Sequence, residues 1–391
     1  MTEQELRNWI QLTATPTLGN ASIRRLLARF GLPDQILAQP PAALESCISS
    51  AQAKALFHPG EELAALQTNT WQWLQGSAKP LRRHIITLGD TDYPPRLLET
   101  ADPPVLLYIT GHERWFDAQG RLLAWPGTAL AVVGSRNPTA QGISNAQSFA
   151  KELVAQGICV VSGLALGIDA AAHQGALAAG RQSFSPATLA VVGTGIDRVY
   201  PRQHHALARQ IAERGWIVSE YHLGTPPLAQ NFPKRNRLLS GLTLGTLVVE
   251  AAPESGSLVT ARMASEQGRE VFAIPGSIHS PQSKGCHALL RQGAKLVESV
   301  GDILEELPRL AAAGKPVAAV SASTPAPPSN HAAAEDDALL QALGFDPVDL
   351  DTLSARTGWD IASLQIQLLE QELQGQVARL PGGLYQRLVS G

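Results

Sequence analysis

Cysteine is scarce. The 391 residues hold 3, at Cys47, Cys159 and Cys286, far apart and with no Cys-x-x-Cys pair. An odd, scattered set fits reduced thiols packed as small hydrophobes and excludes a disulfide framework or a zinc knuckle. His204 and His205 are adjacent, so on one helix they point apart, and no metal site is expected from them. No apolar run reaches the roughly 18 residues that a membrane span needs. The opening Met-Thr-Glu-Gln-Glu-Leu-Arg-Asn-Trp lacks the apolar core of a secretion signal, so a cytoplasmic protein without membrane contact is expected. Strong net charge is missing too: the formal value is −3, which alone argues against a nucleic-acid binder.

The distribution of charge says more than its sum. From residue 129 to 300 there are 15 Lys+Arg against 10 Asp+Glu, so the positive charge is gathered in one segment. At 44% hydrophobic residues the chain is long enough for two or three cores.

That basic segment alternates apolar strands with helical patterns. Strands are expected to end near Val133, Val161, Val192, Val218, Val249 and Ile274, with helices such as Ile143 to Ala155 and Ser257 to Gln267 between them. The pattern predicts a doubly wound α/β sheet, with its binding crevice at the carboxyl ends of the strands. Ile85 to Leu88 and Val105 to Ile109 read as added edge strands, and residues 112–127 as an insertion of no assigned function.

The expected strand-end loops carry the chemistry. After the first come Gly134, Ser135 and Arg136, where glycine lets the backbone approach a phosphate and the guanidinium binds it. Gly163 follows the second, and Arg202 comes behind Tyr200-Pro201 after the third. Phe232, Lys234, Arg235, Asn236 and Arg237 follow the fourth, three cations and an aromatic ring within six residues. Unpaired nucleic acid needs such a combination, backbone neutralisation with a ring for a base to stack on.

Rival chemistries leave weaker traces. The first turn is Gly-Ser-Arg and not Gly-x-Gly-x-x-Gly, which argues against a dinucleotide cofactor, and none is expected. Asp169, His173, Asp197, Glu220 and Glu250 are the acid–base candidates, but they form no recognisable catalytic set. Asp169 at a helix start is explained by the helix dipole, and Glu250 by hydrogen bonds from the Ser255 to Thr260 turn.

At these residues the chain resembles the DNA-processing protein A family (DprA, also called Smf). The resemblance rests on Val132 to Arg136, Ser162 to His173, Gly193 to Pro201, Phe232 to Leu242, Glu250-Ala251, Ser255 to Ala261 and Val271 to Gly276, in family order over about 200 residues. It implies a non-enzymatic, usually dimeric protein with an extended Rossmann fold. Such a protein binds single-stranded DNA taken up in natural transformation, protects it and helps load the RecA recombinase. Carried over by motif, Arg136, Arg202 and the Lys234 to Arg237 stretch would hold the DNA backbone. Departing from many family members, this chain has His204 and His205 where asparagine is common. The rival reading is a Rossmann-type nucleoside-monophosphate phosphoribohydrolase, which this chain resembles less because no Pro-Gly-Gly-x-Gly-Thr turn precedes a glutamate helix.

Flanking this core, residues 1–75 read as a helical unit of the SAM or helix-hairpin-helix kind, in which Arg24, Arg25 and Arg29 support a phosphate contact, or equally as a small helical docking domain with solvated arginines, since the segment holds 5 basic and 6 acidic side chains. The core is expected over 80–312, followed by a linker at 313–334 rich in alanine, serine and proline. Residues 335–391 read as a winged helix with 9 acids and 3 bases, and its expected recognition helix, Ile361 to Leu373, has no lysine or arginine. Phosphate attraction dominates nucleic-acid affinity, so this unit is expected to contact protein or another partner independent of duplex DNA.

Overall fold

Apolar runs that stop at glycine, serine or glutamate form the centre of the molecule. The computed structural model describes residues 1–76, 79–179, 185–307, 334–380 and 382–388. Every residue of β3 (Ala129–Val133), β4 (Cys159–Ser162), β5 (Thr188–Val191) and β7 (Gly245–Val248) is buried. Helices cover both faces of these strands, which is why they read as unbroken apolar runs without alternation. With β6 (Trp216–Ser219), β8 (Glu270–Ala273) and β9 (Lys295–Leu296) they form a parallel set.

Two antiparallel strands, β1 (Leu81–Thr87) and β2 (Leu106–His112), extend the β6 edge. The described residues thus form a nine-stranded sheet in the order β1-β2-β6-β5-β4-β3-β7-β8-β9. The six expected ends of the alternating strands lie within one residue of those observed, while β2 runs three residues past the expected Ile109 and the short β9 leaves no apolar run in the sequence. On one face pack α8 (Ala140–Ala155) and α9 (Ile168–Ala178), with Ala146, Leu153, Ile168 and Ala172 in the core. The other face is covered by α11 (Asn231–Gly241), α12 (Gly256–Glu266) and α13 (Lys284–Arg291), through Leu238, Leu239, Ala261 and Leu289. The strand order reverses between β3 and β7, so the crevice of a doubly wound sheet falls at the carboxyl ends of those two strands.

The insertion has a structural task. Trp115 and Trp125 meet the buried Trp216 ring edge-on, with centroids 6.4 and 5.2 Å away. Asp92 holds the segment in place: its carboxylate accepts from the Leu122 N–H at 3.0 Å and lies 3.0 Å from His84 Nε2, and its carbonyl accepts from the Trp125 indole at 2.7 Å. Burial pushes the Asp92 carboxyl up, but these hydrogen bonds and the adjacent imidazole outweigh it and hold the carboxyl below the usual range. Asp92→Ala is therefore expected to cost about 1–3 kcal/mol at neutral pH in urea unfolding. A depressed folded-state pKa contributes stability above the unfolded value. The wild-type advantage should accordingly fade as pH falls below about 4.

Before the sheet, helices from α1 (Glu3–Ala14) to α6 (Glu62–Gln75) enclose Leu6, Ile10, Ile23 and Leu26, a core continuous with Ile85, Leu106 and Tyr108 of the edge strands. Arg24, on α2 (Asn20–Phe30), donates to Asp102 Oδ1 at 2.6 Å and to the carbonyls of Pro103 and Ala101 at 3.0 and 3.2 Å. Of the two readings of the helical unit, Arg24 fits the docking one, though as a paired side chain and not a solvated one: its guanidinium ties the unit to the Ala101–Pro103 loop, which corrects its expected phosphate role.

Residues 313–333 of the expected linker lie outside the described residues. Beyond them, helices Ala334–Leu343, Leu350–Thr357 and Ile361–Leu373 and the hairpin Val377–Leu380 with Leu384–Arg387 form a winged helix around Leu339, Leu353, Leu364 and Leu368. Asp349 and Asp360 cap its second and third helices. No helix among the described residues is long and apolar enough to cross a membrane.

Candidate nucleic-acid interface

Backbone and side-chain contacts of Glu250 tie together the two sides of the crevice between β3 and β7. The Ser135 N–H donates to the Glu250 carbonyl at 2.7 Å, tying together the loops that leave the two strands. A Cβ on Gly134 would lie 2.8 Å from that carbonyl and 2.7 Å from the Ile168 side chain, so glycine is required for the approach. Ser135 is buried, and its hydroxyl accepts from the Asn137 N–H at 3.1 Å. The Glu250 carboxylate accepts from the Thr139 N–H at 2.9 Å and from the Thr139 hydroxyl, anchoring the N-cap of α8. The expected partner of Glu250, the turn at Ser255, is corrected accordingly.

A cavity of about 710 Å³ opens here, lined on one side by Gly134 to Asn137 and on the other by Ser255 to Ser257 at the start of α12. Three side chains shape its mouth. The exposed Arg136 places its guanidinium carbon 5.8 Å from the centre of the Phe232 ring, and Tyr200, also exposed, lies 5.6 Å from the same ring at 42°. The result is a short ladder of cation, ring and ring at the surface. Lys234 is exposed on α11, Asn236 donates to the Gly256 carbonyl at 3.3 Å, and Arg202 is exposed just beyond Tyr200.

The four-residue cationic run does not act as one. Successive side chains on a helix diverge by about 100°, and α11 sends them to different places. Arg235 points inward with 4% of its surface exposed and donates to the Val191 carbonyl. A Cβ on Gly163 would lie 2.1 Å from its Nη1, so that glycine exists to admit the guanidinium. Asp169 Oδ2 gathers the N–H groups of Gly163 and Ala165 at 3.1 and 3.3 Å. Burial raises the Asp169 carboxyl, and the charge of Arg235 opposes the rise. The expectation that Arg235 and Gly163 meet the DNA backbone is corrected: they form a buried, electrostatically coupled floor.

Arg237 is corrected as well. It pairs with the half-buried Glu220 and reaches Asp102 at 3.5 Å, so its charge is already matched. His173, one of the acid–base candidates, is fully buried beside Thr188 at 2.7 Å, and burial pushes it down to about 3. It stays neutral at working pH.

Of the expected contacts the structure leaves Arg136, Arg202, Phe232, Lys234 and Asn236 on accessible or half-buried ground. It adds Tyr200 and the Ser255-Gly256-Ser257 turn to the cavity wall. Both additions were visible as motifs, Tyr-Pro before an arginine and Ser-Gly-Ser before a helix, but nothing in the sequence showed that they share one mouth.

Comparison with known proteins gives an independent reading. The model of the family described as DNA recombination-mediator protein A matches residues 84–308, and that of the DprA winged helix domain matches residues 323–383. Protein Smf of Escherichia coli (strain K12) is 43% identical over 306 residues, 78% of this chain and 77% of that protein. The DNA processing protein DprA of Streptococcus pneumoniae (strain ATCC BAA-255 / R6) is 45% identical over 217 residues, 56% of this chain and 72% of its own length. The X-ray structure of DNA processing protein A from Streptococcus pneumoniae has a TM-score of 0.63 at 34% identity, covering 78% of this chain and 98% of that one.

Proposed function

Since the chain belongs to the DNA recombination-mediator protein A family, we propose that it binds single-stranded DNA during natural transformation, shields the strand and helps load the RecA recombinase. RecA and a second copy of this chain are the protein partners of that reading, and no chemical step is assigned to the site. The observation that carries it is the surface ladder of Arg136, Phe232 and Tyr200 at the cavity mouth. An exposed ring and a half-buried one, beside a cation with no carboxylate partner among the described residues, suit splayed bases on a flexible strand, whereas a duplex keeps its bases stacked inside.

The test is titration of a fluorescent oligonucleotide, single- and double-stranded, across a salt series. Single strands should bind more tightly, with a slope of log K against log salt of about −2 for three phosphate contacts from Arg136, Arg202 and Lys234. A slope nearer −3.5 would return Arg235 and Arg237 to the interface. Equal affinity for duplex and single strand would overturn the reading, as would release of free base from nucleoside monophosphates.

A further inference from the structure

The third helix of the winged helix, Ile361–Leu373, has two distinct apolar faces. One is core: Leu364 and Leu368 are 0% exposed and Gln371 is 1% exposed. The other is bare. Ile366 is 65% exposed, Leu369 57% and Leu373 81%, and the exposed Ala362 continues the line. Their spacing of four, three and four residues is that of the a and d positions of a heptad seam, about 16 Å long. Isolated exposed hydrophobes need no explanation, but three large ones in heptad register on one helix mark a contact surface.

The flanks identify what fits. Ser363, Gln365, Glu370 and Glu372 occupy the e and g positions beside the seam, with one glutamate on each side at its carboxyl end. Among the described side chains nothing cationic lies on this helix. A phosphate backbone would be repelled, and a second copy of the helix would set Glu370 and Glu372 against their own kind. We propose that this face docks an amphipathic helix of another protein, apolar along one stripe and lysine- or arginine-flanked. Apolar burial supplies the affinity, and the two glutamates choose a basic partner over an acidic one. The surface belongs to the winged helix and is separate from the cavity mouth, so it stands or falls independently of the DNA site.

The experiment uses the full chain and two labelled three-heptad peptides. Both carry leucine at a and d; one has lysine and the other glutamate at e and g. Fluorescence anisotropy should show the lysine peptide bound about tenfold more tightly or better. The triple variant Ile366→Gln, Leu369→Gln, Leu373→Gln should lose that binding, with an unchanged thermal melt because all three residues face solvent. Glu370→Lys with Glu372→Lys should reverse the preference toward the glutamate peptide, a result that mere damage to the fold cannot produce. Three results would overturn the proposal: equal binding of both peptides, retention of binding by the triple variant, or self-association or duplex binding by the wild type that the same triple variant removes.

Discussion

Arg136→Glu combined with Lys234→Glu is expected to weaken single-stranded DNA binding by about 100-fold or more, since each lost charge-assisted contact is worth roughly 1.5–3 kcal/mol. The slope of log K against log salt should flatten by about 1.4, two contacts at roughly 0.7 each. Both side chains are exposed and neither has a carboxylate partner within salt-bridge distance among the described residues, so reversal should leave the fold intact. The same reversal at Arg25 and Arg29 should leave the slope unchanged, because Arg24 beside them is committed to the sheet. An equal flattening from that second pair would restore the helix-hairpin-helix contact and remove the cavity mouth from its central place.

Arg235→Ala should act on stability, not on salt dependence. It removes a buried guanidinium that donates to the Val191 carbonyl and whose charge acts on the buried Asp169, and leaving such buried polar groups unmatched costs about 1–3 kcal/mol. The pH profile carries the signature. Asp169 already titrates above its ordinary range because it is buried, and Arg235 is the charge that moderates this. Without the guanidinium the folded-state value rises further above the unfolded one, so protonation favours the folded form. The variant's deficit should shrink as pH falls from neutrality toward about 4 and widen as pH rises through the folded value. A variant of undiminished stability that binds DNA with a flatter salt slope would instead make Arg235 a strand contact.

The central sheet was legible because burial on both faces leaves a plain trace, an apolar run closed by a small residue. The winged helix was legible for a similar reason: Asp349 and Asp360 stand at the starts of its later helices. The cationic run at Lys234 to Arg237 reads in sequence as one unit, and the structure divides it. Treated as a loop its charges add; placed on α11 they separate, with Lys234 outward, Arg235 inward and Arg237 toward Glu220. Periodicity would have exposed the division, since Asn231, Arg235, Leu238 and Leu239 share the buried face of that helix. What no local pattern holds is the company a charge keeps across the chain. Glu220 lies 17 residues from Arg237, and Asp169 lies 66 positions before Arg235. The assignment of Gly163 failed for the same reason, because its neighbour in space comes from another helix.

Asp102 lies between two arginines of different origin, Arg24 at 2.6 Å and Arg237 at 3.5 Å. One carboxylate therefore bears on both the seating of the amino-terminal helices and the roll of α11, which presents Lys234 one turn before Arg237. Chimaeras that exchange the first 75 residues between relatives should keep their grip on DNA only when Arg24, Asp102 and Arg237 travel as a set. A graft that splits them would misalign α11 without touching any residue of the cavity mouth.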